Sequence, residues 1–169
     1  SRFQGVKYNS AIINGAFDDP IIAGVKVFGA GGNDIIRVGD EIIQDSTLDG
    51  GSGDDVIRAG AGRATIDGQD GSDFLGGGSE NDVLYGGDGN DYIHGQAGGD
   101  RIFGENDDDL ISGGRGDDPY LRGQNGNDRL SGGIGRDRLL GDAGSDVVFR
   151  ELTAAGSSVD VLVSAETIN

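Results

Sequence analysis

Along residues 50–149 one apolar position recurs every nine residues, set among glycine, aspartate and other polar types. The chain divides there into GGSGDDVIR (50–58), AGAGRATID (59–67), GQDGSDFLG (68–76), GGSENDVLY (77–85), GGDGNDYIH (86–94), GQAGGDRIF (95–103) and GENDDDLIS (104–112). GGRGDDPYL (113–121) follows, with Arg122 read as one extra residue, then GQNGNDRLS (123–131), GGIGRDRLL (132–140) and GDAGSDVVF (141–149). An outlying nine, GAGGNDIIR (29–37), precedes them across the spacer 38–49. Three residues with only the middle one apolar predict a short strand facing inward at that residue. The six residues before them predict a turn, because glycines at positions one, two and four admit positive φ and leave the backbone bare. Two nines then make one coil, and the fold class is all-β: a flattened, right-handed parallel β-roll, or β-solenoid.

The thin core of such a roll falls on position eight: Ile36, Ile57, Ile66, Leu75, Leu84, Ile93, Ile102, Ile111, Tyr120, Leu130, Leu139 and Val148. The spacer reads as one longer, degenerate nine with Leu48 inward. Upstream, AIINGA (11–16) is echoed by PIIAGV (20–25), with Ile12 and Ile13 over Ile21 and Ile22. This predicts metal-free coils capping the N-terminal end over 1–28, with Val25, Lys26 and Val27 as the strand that feeds the first glycine turn. The roll proper is expected over 29–149 and a capping segment over 150–169.

Composition sharpens this picture. The chain holds 35 glycines, 30 acidic residues against 13 basic ones, and a net charge of −17. Glycine at that density disfavours helix, so a helical bundle is excluded. Collagen is excluded too, because glycine lacks a three-residue period and proline occurs twice. The charge argues against nucleic acid and anionic membrane and points to cations as partners. Cysteine is absent, so neither disulfides nor thiolate metal sites exist. No apolar run reaches the length of a membrane span and no signal peptide opens the chain; lacking methionine, it reads as a module of something longer.

Position six is the chemical feature. Aspartate fills it in eleven of the twelve nines: Asp34, Asp55, Asp73, Asp82, Asp91, Asp100, Asp109, Asp118, Asp128, Asp137 and Asp146. Coils repeat every 18 residues, so alternate nines share an edge. One edge stacks Asp34, Asp55, Asp73, Asp91, Asp109, Asp128 and Asp146; the other stacks Ala64, Asp82, Asp100, Asp118 and Asp137. Ser46 takes the carboxylate position in the spacer. Carboxylates stacked about 4.8 Å apart repel one another unless a cation lies between them. Calcium suits such turns, since it takes six to eight oxygen ligands, commonly carboxylates and backbone carbonyls.

The repeat GGxGxDxUx, matched at every fixed position by GGSGDDVIR and GGDGNDYIH, resembles the hemolysin-type calcium-binding nonapeptide of the repeats-in-toxin (RTX) family. The resemblance implies calcium ions between turns of adjacent coils, ligated by the position-six carboxylates. It adds carbonyls from positions one and three of one turn and two and four of the next. Those positions are Gly50, Gly51, Ser52 and Gly53; Gly68, Asp70 and Gly71; Gly77 and Ser79; and Gly86, Gly87, Asp88 and Gly89. They continue with Gly95, Ala97 and Gly98; Gly113, Arg115 and Gly116; Gly132, Ile134 and Gly135; and Gly141 and Gly144. Seven aspartates leave six gaps on one edge and four leave three on the other. Between roughly six and nine ions are therefore expected, and nine would nearly cancel the charge of −17. DVLVSAETI (160–168) is similar to the Asp-x-Leu-x-x-x-Glu-x-Ile segment that often follows RTX repeats, which implies a capping strand.

Departures from the repeat mark weaker sites. Ala64 removes a carboxylate from the gap toward 77–85. Glu80 and Asp107 replace the glycine of position four, where a side chain resists positive φ. Pro119 removes a ladder donor and, with the extra Arg122, predicts a bulge.

Other motifs have plainer explanations. His94, the one histidine, takes an outward position nine and lacks the partners of a Ser-His-Asp triad. Arg115-Gly116-Asp117 spells an adhesion tripeptide, but the repeat already accounts for its glycine. The paired acids, such as Asp54–Asp55 and Asp117–Asp118, recur too regularly for a general acid and base. Glycine stretches such as GAGGND lack the helix and lysine of a phosphate loop. Phe74, Tyr85, Tyr92 and Phe103 flank the strands outward, as scattered aromatics or, less simply, as a sugar platform.

The resulting expectation is a non-catalytic, extracellular calcium-binding module that folds on the ion after secretion, as the resemblance to type I secreted proteins suggests. The alternatives are the C-terminal module of a secreted enzyme (protease, lipase or alginate epimerase) and a rigid adhesin spacer or sugar-binding segment. The outward positions carry no threonine ladder, which disfavours an ice-binding roll.

Overall fold

The structure, a computed structural model, describes residues 11–13, 24–149 and 161–163. Its strands in chain order are β1 (Ala11–Ile13), β2 (Val25–Gly31), β3 (Ile35–Val38), β4 (Ser46–Ser52), β5 (Val56–Arg58), β6 (Ala64–Asp70), β7 (Phe74–Gly78) and β8 (Val83–Asp88). They continue as β9 (Tyr92–Ala97), β10 (Arg101–Asn106), β11 (Leu110–Arg115), β12 (Tyr120–Asn125), β13 (Arg129–Ile134), β14 (Arg138–Ala143), β15 (Val147–Phe149) and β16 (Val161–Val163). Odd-numbered strands pair in order as one parallel sheet and even-numbered strands as the other. The chain is a parallel β-roll, and no described residue is helical.

From β3 to β14 each strand sends its position-eight side chain between the sheets. Ile36, Ile57, Leu75, Ile93, Ile111 and Leu130 come from the odd sheet, and Leu48, Ile66, Leu84, Ile102, Leu121 and Leu139 from the even sheet; all are buried. Period-two alternation makes this unavoidable, because the neighbours of an inward residue must face out. Val148 packs only partly against the end of this core.

The insertion lies elsewhere than the sequence predicts. Leu121, not Tyr120, fills the core, while Tyr120 is exposed. Arg101 pairs with Tyr120, Ile102 with Leu121 and Phe103 with Arg122, in unbroken register. The extra residue is therefore Pro119, taken up between Asp118 and the strand, and β12 carries no bulge. Tyrosine and leucine are both apolar enough for position eight, so the pattern alone favoured the wrong one.

At the N-terminal end, β1 continues the odd sheet by pairing with β3. The echo partner at 20–23 lies outside the described residues. β2 begins at Val25, and Leu48 and Ser46 are both buried in β4, as the degenerate nine predicts. At the other end β16 adds to β14, while the rest of 160–168 lies outside the described residues.

Candidate metal-binding turns

The turns between strands form two edges, and each position-six aspartate folds inward over its own turn. Asp34, Asp55, Asp73, Asp82, Asp91, Asp100, Asp109, Asp118, Asp128 and Asp137 are buried; Asp146, in the last coil, is half-buried. On the first edge the N–H groups of Asp34, Asp55, Asp73, Asp91, Asp109 and Asp128 each donate to Oδ1 of the next aspartate in the stack, ending at Asp146. The distances run from 2.7 to 3.0 Å. On the second edge Ala64, Asp82, Asp100 and Asp118 donate in the same way to Asp82, Asp100, Asp118 and Asp137, at 2.7 to 2.9 Å. The two predicted stacks thus exist, with the predicted members.

The second oxygen of each carboxylate is the chemically telling one. Oδ2 of Asp34, Asp55, Asp73, Asp82, Asp91, Asp100, Asp109, Asp118 and Asp128 is buried without a hydrogen-bond partner. A buried oxygen in that state is costly unless something compensates it. Burial pushes Asp109 up to about 8, with the charges of Asp91, Asp128 and Asp107 adding to the rise and the Asp91 N–H opposing it. The same cause, opposed by the neighbouring backbone N–H, raises Asp82, Asp91 and Asp118 to about 7 and Asp73 and Asp128 to about 6. Asp55 and Asp100 also rise by burial.

Backbone oxygens point into the same gaps. A Cβ added to Gly86 would collide with Oδ2 of Asp91 and lie 2.5 Å from the carbonyl oxygen of Gly104 in the next coil. Position one thus needs glycine for an oxygen cradle rather than for positive φ, which it does not adopt. From the preceding coil, the Gln69 carbonyl meets Gly87 and the Gly71 carbonyl meets Gly89. Each gap accordingly gathers carbonyls from positions two and four of one turn, the position-one carbonyl of the next, and carboxylates from both. Only hard oxygen donors converge there, which fits calcium. Among the described residues no three His, Cys, Asp or Glu side chains cluster, so any such ion is held largely by backbone.

Several features escaped the sequence reading. Position two is left-handed even without glycine, at Ala30, Gln69, Gln96, Glu105, Gln124 and Asp142, with φ between 70° and 86°. At position four Asp107 accepts φ 74°, whereas Glu80 stays out of the left-handed region. A second ladder occupies position five and runs opposite to the first: Asp54 donates N–H to Asn33 Oδ1, Asp108 to Asn90, Asn127 to Asp108 and Ser145 to Asn127. Asn or Asp at position five in seven of the twelve nines was its signal.

The competing motifs resolve within this frame. Asp117 Oδ1 accepts the Arg136 N–H, so the carboxylate of Arg115-Gly116-Asp117 serves the ladder. His94 is partly buried with Nδ1 3.3 Å from the Ser112 carbonyl. Phe74 stacks on Tyr92 at 4.8 Å and Tyr85 on Phe103 at 5.2 Å. Tyr120 has the Arg101 and Arg138 guanidinium groups 5.5 and 5.1 Å from its ring centroid. The four aromatics thus form two cross-strand stacks, with Phe74 and Tyr92 exposed.

A family model described as the RTX calcium-binding nonapeptide repeat matches the chain four times, over residues 49–84, 67–101, 85–118 and 120–149. No curated protein matches the chain.

Proposed function

Because the chain belongs to the RTX calcium-binding nonapeptide repeat family, we propose that it is a non-catalytic extracellular module whose folding is switched by calcium. The repeats are calcium-binding, and the family is typical of secreted proteins. The observation that carries the reading is the row of buried, unpartnered Oδ2 atoms beside convergent carbonyls. Bound calcium would supply the positive charge that lets these carboxylates stay ionised. The ligands are the eleven position-six aspartates together with the turn carbonyls of positions one, two and four, in six to nine gaps; the expected position-three carbonyls, such as those of Asp70 and Asp88, instead accept the N–H groups of Gly53 and Gly71 in the preceding coil. Without the ion, one inward side chain per nine residues has to offset the ordering of a glycine-rich backbone and the repulsion within each stack. At extracellular calcium levels binding energy becomes folding energy. A chain unfolded in the low-calcium cytosol and folded outside fits export as a thread.

The organisation we infer is a capping region over 1–28, the calcium roll over 29–149 and a C-terminal cap over 150–169. β1 and β16 support it by extending the two sheets at opposite ends. Far-UV circular dichroism during calcium titration tests the switch, with magnesium as the control. β-structure should appear cooperatively with calcium and not with magnesium, which demands tighter octahedral geometry. A metal-free chain that already has full β-structure overturns the proposal.

A further inference from the structure

Among the described residues one asparagine stands directly before a glycine, Asn125–Gly126; the sequence's other such pair, Asn14–Gly15, lies outside them. Asn106, one coil earlier in the same column, precedes Asp107 instead. An asparagine side chain can react with the backbone that follows it, which makes it a chemically labile residue. Here the Gly126 nitrogen would attack Cγ of Asn125, ammonia would leave, and a five-membered succinimide would form. Water then opens the ring, giving aspartate at one carbonyl and isoaspartate, whose main chain runs through Cγ, at the other. Glycine favours the attack because no Cβ shields its nitrogen. The turn needs that glycine, since Gly126 has φ 147° and a Cβ there would collide with the Asp107 carbonyl. In the folded roll Asn125 is exposed, so burial does not protect it. Geometry does. The Gly126 N–H donates to the Ala143 carbonyl of the next coil at 2.9 Å. The Asn125 Nδ2 donates the opposite way, to Asn106 Oδ1 of the preceding coil at 2.8 Å, and Asn106 donates on to Asp88. Nucleophile and carboxamide are thus drawn to opposite neighbours.

We propose that Asn125–Gly126 is a self-modification site that folding closes: the unfolded chain converts there through the succinimide, and the isoaspartyl product no longer completes its coil. Aspartate is already native to this column at Asp70 and Asp88, so the aspartyl product is tolerated. Isoaspartate is different, because it inserts one extra backbone carbon ahead of Gly126 and Asp128. The Gly126 carbonyl faces Gly144 in the next coil, and Asp128 Oδ1 accepts the Asp109 N–H at 2.9 Å. Both oxygens belong to the candidate calcium gaps, and the added carbon moves both out of register. That calcium is what closes the site rests on the folding switch proposed above. A chain left without calcium then ages irreversibly at one residue, and folding stops the clock.

The test is to age the full chain in mildly alkaline buffer with saturating calcium, with a chelator, or with chelator and urea. Peptide mapping by mass spectrometry then follows residue 125, and circular dichroism during calcium titration follows refolding. Mapping separates this residue from Asn14 and from the Asp-Gly pairs, which lose water rather than ammonia. Asn125 should convert at least about tenfold faster in the unfolded chain than in the calcium-loaded one. The aged chain should divide into a fraction that refolds and an isoaspartyl fraction that does not. Asn125→Asp should refold like the parent, and Asn125→Ser, after Ser52 in the same column, should keep its refolding through the same ageing. A chelated chain that stays folded with Asn125 intact, while the urea-treated chain converts, overturns the calcium switch and upholds the closed site. Conversion as fast in calcium as in urea overturns the proposal. So does an aged Asn125→Ser chain that loses refolding as fully as the parent, or an isoaspartyl chain that folds at the parent's calcium midpoint.

Discussion

The two edges of the roll share strand spacing, turn length and backbone course through most of their length, yet they begin differently. The first edge stacks carboxylates without a break from Asp34 to Asp146. The second opens with Ser46 and Ala64, both buried where the first edge has aspartate. Beneath them Ile42 is fully buried, its N–H donates to the Gly39 carbonyl, and its own carbonyl accepts from Ala61 and Gly62. That turn closes on apolar packing and its own hydrogen bonds. The aspartate turns close on oxygens that face one another. One backbone scaffold therefore accepts two ways of finishing a coil, one self-sufficient and one dependent on a cation.

The largest effect should come from removing a carboxylate within the unbroken stack. Asp91 is buried between Asp73 and Asp109, so Asp91→Asn should raise the calcium midpoint of folding on the order of tenfold. Asp88 lies three residues away and is exposed, its Oδ1 accepting only from the Asn106 amide. Asp88→Asn should shift the midpoint little. Equal midpoints for the two variants would sink the ligand assignment.

Protons provide the next contrast. Asp109 is raised from 3.8 to about 8, and Asp82, Asp91 and Asp118 to about 7. The folded roll without calcium thus holds more protons than the unfolded chain between about pH 4 and 8. Its stability is fully present below the unfolded value and is lost as pH rises through 7 to 8. With a chelator present, β-structure should be greater at pH 5 than at pH 8. Calcium reverses the trend, because it competes with those protons and its midpoint should fall as pH rises. A chelated chain equally unfolded at both values contradicts this reading of the stacks.

Much of this arrangement is legible in the sequence, because period nine fixes both the inward column and the alternation of edges. Ser46 and Leu48 could be placed in the degenerate nine because Leu48 is apolar and Ser46 sits two residues before it. Three things were hidden for physical reasons. Position one looked like a φ requirement, whereas its glycine leaves room for the Asp carboxylate five residues on, a contact invisible in one dimension. Gln69, Gln96 and Gln124 gave no sign of left-handed backbone, since nothing local favours it and the stack imposes it. That the outward residues flanking the inward column of β3 to β15 include no aspartate or glutamate emerges only when alternate nines are laid side by side.

A smaller effect is expected where the second edge is poor. The gap between the turns at 59–64 and 77–82 retains Asp82, whose Oδ1 accepts the Ala64 N–H at 2.7 Å, but lacks a carboxylate from the earlier coil. Ala64→Asp should supply it, adding one calcium ion in calorimetric stoichiometry and slowing amide exchange across 59–67. If stoichiometry stays constant, Ala64→Asp combined with Glu80→Gly separates a site blocked by Glu80 from a gap that takes no ion.

The smallest effect is expected at the insertion, which both edges feel equally. Successive aspartates are 18 residues apart at Asp100–Asp118 and Asp128–Asp146 but 19 apart at Asp109–Asp128 and Asp118–Asp137. The extra residue thus lies between 118 and 128, and the pairing of β12 with β10 narrows it to Pro119. Proline brings no N–H to the ladder and follows Asp118 outside the strand, so neither Leu121 nor the Arg122–Asp142 pair depends on it. Deleting Pro119 should leave a regular nine, Gly113 to Leu121 plus Arg122 in outward position nine, with a calcium midpoint within about twofold of the parent. Deleting Arg122 instead should be far worse. It removes both hydrogen bonds to Asp142, at 2.8 and 2.9 Å, and leaves the strand one residue short of the next glycine turn. To regain register Tyr120 would have to replace Leu121 in a core one side chain wide. Circular dichroism midpoints for the two deletions decide the matter: if removing Arg122 proves as mild as removing Pro119, the insertion is shared along the strand rather than confined to one residue before it.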